Sequence, residues 1–520
     1  MQSSKPKARQ RQLRSFVIAW LGVTLLMGAL TFVGIYYATG IVNANASDPT
    51  DENVAALPNP EVETTPDNDF DPSEIETTPV PQAEQAIQVI EETLDQDAAA
   101  ADRANTTTDP AASVAASDTA ANTANAVANA NQAAGQGNDP AAAPVAQDVT
   151  PVPSATPIPV SNTAFQVGIQ VQPNPKPEEY TMWMNEVRDK LRLGWIKQQV
   201  RWEDVEPSPG QYNWTALDVS LALAAEYNTK VMLSVVTAPE WAREPGNQRL
   251  DEVGPPADPQ TYANFLITML YRYPGQIHAI EVWNEMNIDR EWASIYGLSA
   301  ENYVTLLRTA YNAVKSVDPG VIVISGALSP TGWNDGVAAY DDFVYMDMLI
   351  AAGLLDTTDC VGAHHNGYNI GPNVPVFSGQ PAPNDPTATF RGPFDNAHHS
   401  WSFYTTLNGY AQRIQQAGSD KKLCITEFGW ATTEGLNGTP VGFEFANDNT
   451  LAEQAQYFDE AISSMESWGF VWLAWVWNLN YGPQAGWDAA NDNVPYSLIR
   501  PDWQNAPAYD AIAKYDFRSR

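Results

Sequence analysis

The chain is short of cysteine, histidine and basic side chains, and each shortage removes a class of function. It has two cysteines, Cys360 and Cys424, in 520 residues. That number supports neither a disulfide framework nor the paired spacing of a zinc finger. Lys and Arg number 27 against 62 Asp and Glu, for a formal net charge of −35. So acidic a chain is repelled by phosphate backbones, which excludes nucleic acid as a partner. Four of the five histidines form the adjacent pairs His364-His365 and His398-His399. No acid stands near either pair at ligand spacing, so no metal and no cofactor are expected. Tryptophan, by contrast, is abundant at 17. Indole rings stack on the apolar faces of sugars, and they also fill large cores; composition alone does not separate the two.

Charge and apolar side chains are unevenly spread. Residues 1–14 form a basic, acid-free tail. Residues 15–40 form an uncharged apolar run, longer than the about 20 residues a membrane-spanning helix needs. The flanking positive charge places the tail in the cytoplasm and everything beyond the span outside. The alternative is a cleaved signal peptide, because Ala44-Asn45-Ala46 has the small-x-small form of a cleavage site. The apolar run exceeds the about 7–15 residues of a signal core, which favours an uncleaved anchor. On either reading the chain is exported. Residues 41–162 are rich in Ala, Thr, Pro, Asp and Asn, with a single base, Arg103, and a single aromatic, Phe70. Such a stretch buries too little apolar surface to offset its chain entropy, so it is expected to be a disordered spacer. Within it, Ile87, Ile90 and Leu94 have helical spacing.

From 163 to 520 the pattern changes again. Strand-like runs occur at Phe165–Val171, Trp195–Val200, Lys230–Val236, His278–Trp283, Val321–Ser325, Asp359–His364, Leu423–Glu427 and Phe470–Trp477. Amphipathic helical stretches lie between them. Alternating β and α elements imply a parallel sheet covered by helices. Eight repeats predict a closed (β/α)₈ barrel, a TIM barrel of the α/β class.

In such barrels reactive side chains gather where the strands end. The fourth strand ends in Trp283-Asn284-Glu285, and the seventh in Thr426-Glu427-Phe428-Gly429-Trp430. Strands 4 and 7 face each other, so Glu285 and Glu427 are expected to enter one mouth from opposite sides. Paired carboxylates suit glycoside hydrolysis: one donates a proton to the leaving oxygen, and the other attacks or activates water. Glu281 shares the inward face of strand 4 and is expected to be an interior structural carboxylate. On strand 2, Lys197, Gln199 and Arg201 alternate onto one face.

These two strand ends resemble the signatures of clan A glycoside hydrolases, the retaining barrel enzymes, with families 5 and 39 the most similar. The resemblance spans about Phe165 to Tyr515. It implies Glu285 as acid/base, Glu427 as nucleophile, and Asn284 as a hydrogen-bond partner of the sugar 2-hydroxyl. It also implies His364 in the site, Tyr368 as the tyrosine near the nucleophile, and Trp477 as the floor of the sugar subsite, with Trp475 its rival. The strand 2 base that supports the nucleophile is either Lys197 or Arg201. Met286 stands where the family commonly has proline. The implied activity is cleavage of β-linked oligo- or polysaccharide outside the cell. A non-catalytic sugar-binding barrel and a glucan-remodelling transglycosylase are the alternatives.

Trp241 and Trp430 are candidate sugar platforms or core residues. In the long loop 366–400, Phe390, Arg391 and Phe394 are candidates for shaping subsites. Counted by strand parity, Cys360 faces inward with His364, whereas Cys424, three before Glu427, faces outward; no disulfide is expected. The Glu285 carboxyl is expected above its ordinary range and Glu427 is expected to stay ionised.

Overall fold

A computed structural model describes residues 164–518, apart from 175, 378–387, 390–396 and 502. The tail at 1–14, the apolar run at 15–40, the linker at 41–162, and Phe390, Arg391 and Phe394 lie outside the described residues. Among the described residues, no helix is long and apolar enough to cross a membrane.

Eight strands alternate with eight main helices. The strands are β1 (Gln166–Gln170), β2 (Trp195–Arg201), β3 (Lys230–Val236), β4 (Ala279–Val282), β5 (Ile322–Ser325), β6 (Val361–Gly367), β7 (Leu423–Trp430) and β8 (Val471–Val476). The helices that follow each in turn are α1 (Pro177–Asn185), α2 (Thr215–Glu226), α3 (Pro259–Arg272), α4 (Ala300–Val317), α5 (Asp342–Ala351), α6 (Phe403–Gln416), α7 (Leu451–Trp468) and α8 (Pro507–Ala513). The strands pair in parallel, in the order β5-β4-β3-β2-β1-β8-β7-β6. The two ends of that order meet at a parallel bridge between Ile324 and Cys360, where the Ser325 amide donates to the Cys360 carbonyl at 3.3 Å. The eight parallel strands thus make a near-closed barrel, as expected of the sequence.

Local sequence explains the elements. The run of β3, Lys-Val-Met-Leu-Ser-Val-Val, is buried at every position, as a parallel strand covered on both faces should be. Helix starts are marked by Asp258, Ser299, Asp341, Ser402 and Thr450, whose side chains accept backbone amides. Each such cap is worth roughly 1 kcal/mol. Thr450 and Glu453 complete a capping box.

The barrel interior is filled by a layer that includes Trp195, Met232, Ile324, Leu473 and Trp475. Trp195 meets Trp475 edge to face at 5.6 Å. Gly168 makes room for that contact, since a Cβ there would come within 2.6 Å of the Trp475 ring. Trp475 is therefore barrel packing and does not compete with Trp477 for the cleft.

The expectation of unpaired cysteines is overturned. Cys360 and Cys424 form a disulfide, with Cα atoms 5.9 Å apart, within the usual range for such bonds. The parity count failed because β7 is bulged. Ala363 pairs with Ile425, but His364 pairs with Glu427, leaving Thr426 as the extra residue. A bulge of this kind resets which face the following side chain takes. Cys424, Thr426 and Glu427 consequently all face the barrel interior.

Candidate active site

At the C-terminal ends of the strands lies a cleft of about 390 Å³ lined by Asn284, Glu285, Glu427 and Trp477, among others. Glu285 is placed there by an unusual backbone. Trp283 and Glu285 both have positive φ, at 73° and 41°. Non-glycine residues in that region cost roughly 1–3 kcal/mol each and concentrate at functional sites. The turn is supported from below by close packing. A Cβ on Gly326 would lie 2.4 Å from the Met286 methyl and 2.8 Å from the Val282 carbonyl. Met286, in the position where proline is common, is fully buried in that packing.

Glu427 is held by a buried network. Lys197 Nζ lies 2.9 Å from Glu427 Oε1 and 3.5 Å from Glu281 Oε2. Lys197 and Glu281 are fully buried. The Thr426 hydroxyl donates to Glu281 at 2.6 Å. Burial opposes charge on Lys197, but Glu427 and Glu281 outweigh it and raise the ammonium above its ordinary pKa. Lys197 is thus a fixed cation between two carboxylates. Arg201, the other candidate on this strand, sits at the rim with its side chain 43% exposed and paired with Glu203. Between Lys197 and Arg201, the structure places Lys197 beside Glu427.

His364 joins the two glutamates. Its Nδ1 lies 3.1 Å from Glu285 Oε1, and its Nε2 lies 3.7 Å from Glu427 Oε1. Burial acts to lower the imidazole pKa, but Glu427, then Glu285, more than offset it, and the group is raised. His365 points the other way, to the Ser400 carbonyl at 3.1 Å. For Glu285, burial acts to raise the carboxyl, but the hydrogen bond and charge of His364, with Arg290, carry it below its ordinary range. That is the reverse of the expected direction. The expectation followed from the acid/base role alone and did not include the contacts of Glu285 with His364 and Arg290.

Other residues expected in the site separate into two groups. Asn284 is buried, lines the cleft and has no partner for its Oδ1. Trp477 lines the cleft, with Lys197 Nζ 5.8 Å from its ring. Three aromatics lie elsewhere. Trp430 is fully buried among Phe403, Tyr457 and Phe458, and its Nε1 donates to the Ile370 carbonyl. Trp430 lies three residues beyond Glu427 on a regularly paired stretch of β7, so it faces outward, under the helices. Trp241 donates to the Glu206 carbonyl at 3.0 Å and packs edge to face on Trp202. Tyr368 stacks on Trp401 and meets Phe445 at 4.9 Å. None of these three lines the cleft.

The sequence reading missed Arg290 and Glu291, and Tyr481 and Tyr496, which line the same cleft. Arg290 lies 3.5 Å from Glu285 Oε2. Burial, then the charge of Glu285, pushes the Glu291 carboxyl up to about 7. Glu291 follows β4 by a few residues, in a loop that must border the mouth; that position was the available signal. Tyr481 and Tyr496 come from the segment after β8, which carries no periodic pattern.

Residues 172–287, from the end of β1 through Glu285, match the Glyco_hydro_42 family model, described as beta-galactosidase. The chain resembles the clan A glycoside hydrolases. Among solved structures it is similar to a family 39 glycoside hydrolase from Bacteroides cellulosilyticus WH2, at 19% identity and a TM-score of 0.49, over 68% of this chain and 63% of that one. The chain thus spans less than two thirds of that protein. It is also similar to a GH39 beta-xylosidase from Caulobacter crescentus, at 15% identity and a TM-score of 0.43, over 69% and 72%. A third is xylanase 10B from Thermotoga maritima, at 14% identity and a TM-score of 0.43, over 68% and 94%. No curated protein sequence matches the chain.

Proposed function

We propose that the chain is an exported, membrane-anchored glycoside hydrolase that cleaves β-linked oligo- or polysaccharide with retention. One observation carries this reading: Glu285 and Glu427 face one cleft and are joined through His364. Glu427, held beside the Lys197 cation, attacks the anomeric carbon. The glycosidic C–O bond breaks, and the Glu285 proton goes to the leaving oxygen. Water then gives a proton back to Glu285 and attacks the anomeric carbon, which frees Glu427 and releases the sugar. The unpartnered Asn284 Oδ1 accepts from the sugar 2-hydroxyl. Trp477 supplies an apolar face for the ring.

Glu285 has to carry a proton for the first step, although His364 and Arg290 favour its charged form in the free chain. Sugar entering the cleft expels water from the carboxyl, which raises its pKa. Arg290, with its side chain 71% exposed, moves aside at little cost. The disulfide supports export, since such bonds persist in oxidising compartments.

The deciding experiment incubates the protein with nitrophenyl β-glycosides and β-linked polysaccharides and follows the first anomer released by proton NMR. Release of the β-anomer first is expected. Release of the α-anomer first would remove the nucleophile role of Glu427, and no release from folded protein would favour a sugar-binding barrel. Glu285→Gln is expected to lower kcat/KM by about 10²–10⁴-fold on substrates with poor leaving groups.

A further inference from the structure

Outside the cleft, two adjacent histidines meet a carboxylate 57 positions earlier in the chain. Asp341 caps α5. Its Oδ1 accepts from the amides of Phe343 at 2.9 Å and Val344 at 3.2 Å, which leaves Oδ2 facing His398 Nε2 at 2.9 Å. His399 is next in the chain. Donor atoms of Asp341, His398 and His399 all lie within 4.8 Å of one another. The side chains of Asp341 and His398 are 14% and 19% exposed, and that of His399 is 6% exposed, so the cluster is half-sheltered but open to water.

Each histidine is held by a second partner of the kind that orients a metal ligand. His399 Nε2 lies 3.0 Å from Oδ1 of Asp342, a fully buried carboxylate. Asp342 is itself held by the Tyr410 hydroxyl at 2.6 Å and the Thr331 amide at 3.0 Å. The His399 ring lies flat on Phe343, with centroids 3.5 Å apart. With Nε2 donating to Asp342, Nδ1 carries the free lone pair. His398 Nδ1 lies 2.9 Å from Ser400 Oγ. The Ser400 amide also donates to Nδ1 at 3.3 Å, so the ring proton sits on Nε2 and points to Asp341 Oδ2. A metal ion at Nε2 displaces that proton, and Nδ1, protonated in its place, then donates to Ser400 Oγ. A carboxylate or hydroxyl behind each ligating imidazole is the usual support of a metal centre.

We propose that Asp341, His398 and His399 form a divalent transition-metal site, of zinc type, built from Asp341 Oδ2, His398 Nε2 and His399 Nδ1. Two imidazoles and one carboxylate suit zinc, copper, iron or nickel and do not suit calcium or magnesium. Three protein ligands with a solvent-open side leave water to complete a tetrahedral zinc. The site joins the start of α5 to the residues that precede α6, so the bound ion acts as a staple between two βα units. It makes no use of Glu285 or Glu427 and stands or falls independently of the glycosidase reading.

The test uses the full-length protein, stripped with a chelator and titrated with zinc chloride by calorimetry, with Tm followed in parallel. One ion per chain is expected, with a Kd on the order of 10⁻⁶ M or tighter, and zinc should raise Tm. His399→Ala should abolish both effects. Asp341→Asn, which keeps an oxygen for the helix cap, should weaken binding by at least about tenfold. His364→Ala, at the other histidine–carboxylate cluster, should leave binding unchanged. No uptake by the wild-type chain would overturn the proposal. So would binding that persists unchanged in Asp341→Asn, which also decides the matter where His399→Ala does not fold.

Discussion

Glu291 illustrates how a single side chain sets the electrostatics of the cleft. Its carboxyl titrates near 7 because burial and the nearby Glu285 charge disfavour its ionised form. The ordinary carboxyl value is about 4.3, so the folded pKa is the higher one. The stabilisation is complete below pH of about 4.3 and is lost as pH rises to about 7. Glu291→Gln is expected to flatten that loss, which should amount to roughly 1–3 kcal/mol; urea unfolding of both forms between pH 4 and 8 measures it. Equal pH dependence in the two forms would refute the assignment. Lys197 sits in a tighter setting. Lys197→Met would leave Glu427 and Glu281 without their cation in a buried site. Removing one partner of such a pair costs roughly 3–5 kcal/mol, read as a fall in Tm. The fold of Glu427→Ala, which relieves a charge, should be disturbed less.

At the scale of elements, the β7 bulge governs most of what the site became. One extra residue, Thr426, turns Glu427 into the mouth and directs Thr426 onto Glu281. It also brings Cys424 inside, opposite Cys360. The disulfide closes 64 residues of chain. By loop entropy alone it should contribute about 4 kcal/mol. Denaturant unfolding with and without reductant should show a loss of roughly 2–4 kcal/mol. Since both cysteines are fully buried, reduction should be slow until the barrel opens. Thr450→Ala removes one half of the α7 capping box and should cost about 1 kcal/mol without altering activity.

At the scale of the whole molecule, an anchored and exported barrel should be separable from the cell by a protease. The linker at 41–162 contains one trypsin site, Arg103. Trypsin added to intact cells should therefore release an active fragment that starts at Ala104. Activity that stays with the cells, or appears only after lysis, would overturn the anchored and exported reading. Activity already free in the medium would favour cleavage after Ala46.

The sequence by itself determined the barrel and the two glutamates. Parallel strands buried on both faces read as continuous apolar runs, and eight such runs alternating with helical stretches leave one closed arrangement. The meeting of Glu285 and Glu427 at one mouth was legible because both stand where strands end, and strand ends can be counted. Only the tertiary structure decided what surrounds them. The choice of Lys197 over Arg201 depended on depth in the barrel, and the fate of Cys424 on one bulged residue that no period-2 pattern reveals. Trp241 and Tyr368 were lost to packing, because an aromatic serves a core and a sugar equally well. The Asp341–His398–His399 cluster joins residues 57 positions apart; spacing in the chain carries no record of such a meeting, because distance in sequence sets no distance in a folded barrel.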